Sequence, residues 1–129
     1  MTDIAQLKKI MYVEDDPDLR KIVTVSLEAR GGFTVRVCDS GEQALEQVGE
    51  FQPDLIIMDV MMEDMNGPET LGELRKRPGT AAIPVLFMTS RVLPRDVENY
   101  KKIGAAGLIR KPFHPLTLAD RVKELWGQI

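Results

Sequence analysis

Residues 55–59 read Leu55-Ile56-Ile57-Met58-Asp59, preceded by Pro53-Asp54 and followed by Val60-Met61-Met62-Glu63-Asp64. Four consecutive apolar side chains bounded by turn and charged residues have the length of a strand. With no polar face, such a strand is covered on both sides and belongs inside a parallel sheet flanked by helices. Outward in both directions the same pattern recurs. Residues 10–13, 85–88 and 106–109 are short apolar runs, whereas 33–38 alternates Phe33, Val35 and Val37 with Thr34 and Arg36 and reads as an edge strand. Helical stripes lie between them: Leu19, Ile22, Val23 and Leu27 form one, and Leu118, Val122, Leu125 and Ile129 another.

Boundary signals support this division. Asp16 is placed to cap a helix that Pro17 opens, Arg30-Gly31-Gly32 stops it, and Ser40 with Gln43 predicts a capping box. Pro68 and Pro115 are expected to start two later helices, and Arg75, Lys76 and Arg77 to close the third with cations. A β-strand followed by an α-helix, five times over, predicts an α/β doubly wound parallel sheet of the flavodoxin-like (βα)5 type. With continuous strands inside and the second and fifth at the edges, the order is 2-1-3-4-5.

The 129 residues suffice for one domain, spanning 1–129, with no output domain expected beside it. Seventeen basic and twenty acidic residues give a net charge of −3, which disfavours direct nucleic-acid binding. No apolar run spans a bilayer and the N-terminus lacks a signal-peptide core, so the expected location is cytoplasmic, with no membrane contact. The single cysteine, Cys38, excludes an internal disulfide and agrees with a reducing compartment.

Ligands in such folds bind outside the carboxyl ends of the strands. There the sequence places Glu14 and Asp15 after strand 1, Asp59 after strand 3, Thr89 and Ser90 after strand 4, and Lys111 after strand 5. At ~4 Å and an effective dielectric of ~20, each pair of like charges costs roughly 4 kcal/mol, so such a site binds a cation or retains a proton. Oxygen donors without nearby His or Cys suit Mg²⁺, with Mn²⁺ as a substitute, better than zinc. A carboxylate beside a hard cation, a hydroxyl and an ammonium is a workable phosphoryl acceptor: Asp59 attacks, while Thr89 and Lys111 meet the phosphoryl oxygens.

The stretches IMYVEDD (10–16), LIIMDVMMEDMNG (55–67), LFMTS (86–90) and GAAGLIRKPF (104–113) resemble the signature segments of the response regulator receiver domain of two-component signalling, over nearly the whole chain. That resemblance implies that Asp59 is the phosphoacceptor. It implies that Asp15, Asp59 and the backbone carbonyl of Met61 hold Mg²⁺ directly, with Glu14 acting through water, and that the Lys111-Pro112 peptide is cis. It further implies a sensor histidine kinase or phosphotransfer protein as donor and a downstream protein met by the face of helix 4, strand 5 and helix 5. The chain is expected to be a monomer or weak dimer, and a switch that catalyses only its own phosphorylation and dephosphorylation. The resemblance also places Met61 and Arg91 at the positions that flank the path of attacking water.

Three positions depart from the common pattern. Glu63 and Asn66 stand where many members have proline and aspartate, and Leu108, three before Lys111, stands where an aromatic is frequent. Output is therefore expected from the loop after strand 4 and the helix 4, strand 5, helix 5 face, with Leu108 moving little. A haloacid dehalogenase-type phosphatase would need an aspartate at position 61, which is methionine, and a flavin module would need a first loop without Glu14-Asp15-Asp16. A phosphorylation-independent receiver would not need every chemical residue in place. His114 reads as an exposed loop residue, Met58 as core, and Met61, Met62 and Met65 as either packing or partner contacts. Of Leu125 and Trp126, one is expected to lean toward the helix edge.

Overall fold

The computed structural model describes residues 4–129, and five parallel strands run through its centre. These are β1 (Lys9–Val13), β2 (Thr34–Cys38), β3 (Leu55–Asp59), β4 (Val85–Thr89) and β5 (Gly107–Arg110), in the order β2-β1-β3-β4-β5 that the apolar runs predict. The connecting helices are α1 (Pro17–Val25), α2 (Gly41–Phe51), α3 (Gly67–Arg75), α4 (Pro94–Lys102) and α5 (Leu118–Gly127). A π-helical segment, Ser26–Arg30, carries α1 on to Gly31.

Because successive strand residues face opposite ways, the sheet separates two apolar layers. Tyr12, Ile57, Met88 and Ile109 pack with Val23, Leu27, Val122 and Trp126 from the α1 and α5 side. Met11, Val13, Ile56, Met58 and Phe87 pack with Ala44, Val48, Leu71 and Leu74 from the α2 and α3 side. Strands β3 and β4 are buried throughout, while β2 and β5 carry exposed positions, as edge strands do.

Asp16 caps α1 by accepting from the Asp18 N–H at 2.9 Å. Four expectations need correction. Pro115 does not open α5, which starts at Leu118, because Pro115 lies in a turn closed by Thr117 N–H to His114 carbonyl at 3.0 Å. The Ser40 box is half formed: Ser40 accepts from Gln43 N–H, but the Gln43 side chain reaches the Asp39 N–H instead. A complete box instead opens α3, between Asn66 and Glu69. Leu125 and Trp126 are both buried, and the α1 stripe splits, leaving Ile22 43% exposed. Arg75 is no simple helix-end charge. Its guanidinium donates to the carbonyls of Ile83 at 2.9 Å and Gly104 at 3.2 Å, tying α3 to the entries of β4 and β5, and burial lowers its pKa.

Gly67 holds α3 against the end of β3. Its N–H donates to the Val60 carbonyl at 3.0 Å, and a Cβ there would lie 2.7 Å from the Asp59 carbonyl oxygen and 3.0 Å from Val60 Cα. Those neighbours are backbone and cannot swing aside. Gly67→Ala is expected to cost about 1–3 kcal/mol in chemical denaturation, the usual range for overpacking. An unchanged denaturation midpoint would show that α3 has room to retreat.

Candidate functional site

Parallel register carries the strand ends to one edge. Val13 pairs with Met58 and Asp59 with Met88, so Glu14 follows β1 beside Asp59, and Thr89 ends β4 beside them. Lys111 follows β5 and donates its backbone N–H to the Thr89 carbonyl at 2.8 Å, and the Lys111-Pro112 peptide is cis. The Lys111 ammonium stands 3.1 Å from Asp59 Oδ1 and 3.3 Å from Glu14 Oε1. Glu14 and Asp59 are buried, and Asp15 is exposed on the rim, where its Oδ2 accepts from the Glu63 N–H at 3.3 Å. Glu14, Asp15 and Asp59 each offer a carboxylate oxygen within 4.8 Å of one another.

This donor set is all oxygen, converges from two strand ends and carries up to three negative charges against one ammonium. It fits a hard divalent cation such as Mg²⁺. The Met61 N–H donates to Asp59 Oδ1 at 3.4 Å, and the Met61 side chain is 68% exposed at the mouth. The Thr89 hydroxyl accepts from the Arg91 N–H at 3.0 Å, joining the site to the loop after β4, and an accepted bond leaves its own proton to donate.

Two contributors escape the sequence pattern. Tyr12, read as part of an apolar run, donates its hydroxyl to Glu14 Oε1 at 3.1 Å. Arg20, on α1, donates to the Glu14 carbonyl at 2.8 Å and fixes the loop that carries both acids. The signal for Tyr12 was present in its spacing, because residues two apart on a strand share a face.

Burial, followed by the Asp59 carboxylate, pushes the Glu14 carboxyl from its ordinary 4.5 to about 7, against the opposing pull of Lys111 and the Asp16 N–H. Burial also raises the Tyr12 phenol, reinforced by Glu14. For Lys111 burial pulls down, but Glu14 and Asp59 outweigh it and its pKa rises. A carboxyl raised in the folded state keeps a proton that the unfolded chain releases. Its stabilising contribution is therefore complete below about pH 4.5 and is lost as pH rises through about 7. Without divalent cation, Tm is expected to fall across that window, and Glu14→Gln to flatten the fall. Thermal melts that remain equally steep in Glu14→Gln would assign the slope elsewhere.

The other singled-out residues lie apart from this chemistry. Cys38 is buried, with its thiol pushed up to about 11 by burial, which makes it a poor nucleophile. His114 is exposed, and its Nδ1 accepts from the Leu116 N–H at 3.1 Å. Met58 and Met62 are buried, and Met65 is half-buried. Leu108 is half-buried and packs against the α2 and α3 layer.

A doubly wound sheet whose switch-point edge gathers an acidic pair, a further aspartate, a threonine and a lysine defines a class. Residues 10–123 match the model of the response regulator receiver domain, and the chain belongs to that family. Domains of this family are signalling switches that use Mg²⁺ and interact with histidine kinases and downstream targets. Among curated relatives, the chain is 35% identical over 116 residues to the DNA-binding response regulator MtrA of Mycolicibacterium smegmatis, covering 90% of this chain and 49% of that protein. It is 35% identical to the probable transcriptional regulator ycf29 of Pyropia yezoensis, covering 91% and 52%. The chain thus spans about half the length of these relatives. Among solved structures, the chemotaxis response regulator CheY4 of Vibrio cholerae superposes with a TM-score of 0.85 at 29% identity, covering 93% of this chain and 99% of that one. The signal receiver domain of a signal transduction histidine kinase from Syntrophus aciditrophicus gives 0.79 at 33%, covering 95% and 92%. Among the described residues no helix is long and apolar enough to cross a membrane.

Proposed function

We propose that Asp59 accepts a phosphoryl group from a sensor histidine kinase or phosphotransfer protein, and that the acyl phosphate switches a protein-binding surface in the cytoplasm. The observation that carries this reading is the Lys111 ammonium set between two buried carboxylates, 3.1 Å from Asp59 Oδ1. An Asp59 oxygen attacks phosphorus in line with the leaving imidazole nitrogen; the O–P bond forms as the N–P bond breaks, and the imidazole takes a proton. Lys111 exchanges part of its carboxylate contact for a phosphoryl oxygen, and the Thr89 hydroxyl donates to another. Asp15, Asp59 and the Met61 carbonyl would hold Mg²⁺ or Mn²⁺, with Glu14 acting through water. That cation supplies positive charge where the transferring oxygens gather.

A donor must approach from the rim. An apolar groove of about 380 Å³ there runs from Lys111 over Pro112, Phe113 and Pro115 to Leu19 and Ile22, and we assign it to the protein that carries the phosphohistidine. The output face is the groove between α4 and α5 over β5, where Val97, Leu108 and Leu125 lie among Lys101, Arg110 and Arg121, a composition suited to an acidic partner segment. The net charge of −3 gives these residues themselves no general attraction for nucleic acid.

Intact mass after incubation with acetyl phosphate and Mg²⁺ tests the reading. A gain of one phosphoryl group, abolished by a chelator, is expected; no gain with Mg²⁺ present overturns it. The lifetime of that adduct is expected to be long, because the exposed Met61 side chain offers attacking water neither a carboxylate nor an amide. Met61→Asn should shorten it in a hydrolysis time course, and an equal or longer lifetime would remove Met61 from control of the water path.

A further inference from the structure

Tyr12 and Glu14 lie two residues apart and leave the strand on the same face, so the pleat of β1 sets a phenol beside the carboxylate. The Tyr12 ring is fully buried in the layer under α1 and α5, with Ile57, Met88 and Ile109. Its hydroxyl lies 3.1 Å from Glu14 Oε1 and 3.8 Å from Met88 Sδ. A phenol has one proton, and the carboxylate is the stronger acceptor, so the bond belongs to Glu14.

The carboxylate is then held from three sides. Oε1 receives Tyr12 and the Lys111 ammonium at 3.3 Å, while Oε2 receives the Asp16 N–H at 3.3 Å. Glu14 is 1% exposed, so water cannot replace a missing donor without opening the core. A phenylalanine would fill this strand position nearly as well, and what the phenol adds is a fixed direction for Glu14. We infer that Tyr12 is a positioning residue of the cation site, holding the Glu14 carboxylate in place from inside the core.

This inference rests on the reading of Glu14, Asp15 and Asp59 as a Mg²⁺ site. Without the hydroxyl, Glu14 Oε1 keeps Lys111 alone and the carboxylate is free to turn toward the ammonium, drawing it from Asp59. The first effect falls on assembly of the cation site.

Calorimetric titration of the full chain with MgCl2 alone, comparing wild type with Tyr12→Phe, tests it. The dissociation constant should weaken roughly tenfold, as for loss of one hydrogen bond to a charged acceptor. The metal-free protein should stay folded because Phe fills the same space, with a Tm lowered by the loss of one donor to the buried carboxylate. Labelling by acetyl phosphate should slow at low Mg²⁺ and recover at saturation. An affinity within about twofold of wild type overturns the inference, since that lies below the worth of one such bond. A second measurement does not need the variant to fold: Mg²⁺ should perturb the tyrosine ultraviolet absorption of wild type, and the signal should persist in Tyr100→Phe. A silent tyrosine spectrum likewise overturns it. If wild type binds no Mg²⁺, the underlying site reading fails. If wild type binds and Asp15→Ala weakens binding while Tyr12→Phe does not, the Tyr12 inference alone fails.

Discussion

Asp59→Asn is expected to abolish phosphorylation by acetyl phosphate, with no mass gain at any Mg²⁺ concentration. The substitution keeps the shape of the side chain and removes its anionic oxygen, the nucleophile of the proposed transfer. It also withdraws one of the two carboxylates that flank Lys111, leaving the ammonium to Glu14 at 3.3 Å. Repulsion from Asp59 is the second cause, after burial, that pushes the Glu14 carboxyl up, so Glu14 should ionise at lower pH in the variant. The double signature, no labelling and a Glu14 titration moved down, separates removal of the acceptor from general damage. Stable labelling of Asp59→Asn at Glu14 or Asp15 would reassign the acceptor.

The second large effect concerns the exposed acid. For Asp15→Ala we expect Mg²⁺ affinity to fall at least about tenfold, because one of three convergent oxygen donors is lost. Melting with and without the cation reports it. At Mg²⁺ about one hundredfold above its dissociation constant the wild type gains about 2.7 kcal/mol by mass action, and the variant a good deal less at the same concentration. In metal-free solution Asp15→Ala should be no less stable than wild type, since one like charge has gone from the rim. Equal Mg²⁺ stabilisation of both proteins would take Asp15 out of the cation site.

The topology was legible because it depends on apolar pattern. Runs buried on both faces and the alternating 33–38 segment differ in period, and the period decided centre from edge. The acidic pair, Asp59, Thr89 and Lys111 were legible because each is a polar residue ending an apolar run. Tyr12 was not, because its ring satisfies the apolar pattern and only its hydroxyl departs from it. Arg75 was hidden in the same way: a basic residue at a helix end has an ordinary electrostatic reading, and its role in clamping Ile83 and Gly104 depends on chain brought close by folding. Pro115 misled because proline fixes one dihedral angle, which serves a turn as well as a first helical turn. Leu125 and Trp126 are both buried because α5 packs into the layer of Tyr12, Ile57, Met88 and Ile109, which covers a wider face of the helix than one stripe.

None of the residues of α4 is buried. The helix rests on the sheet through Tyr100, whose ring meets Phe87 edge-on at 5.4 Å and 77°, two residues before Thr89. Its leading residue, Leu93, offers no side-chain cap. With no buried residue, α4 is the most loosely seated of the five helices, joined to β4 through the Tyr100–Phe87 contact and packed also along β5. A single hydrogen bond from Thr89 to a charged phosphoryl oxygen is worth about 1.5–3 kcal/mol, enough to change the ratio of two arrangements by roughly 10- to 150-fold. If Asp59 is phosphorylated as proposed, a loosely seated helix would convert that modest bias into displacement without a bulky side chain having to turn inward. On that reading Leu108, too short to act as an inward-turning aromatic, would suit an output carried by α4 itself.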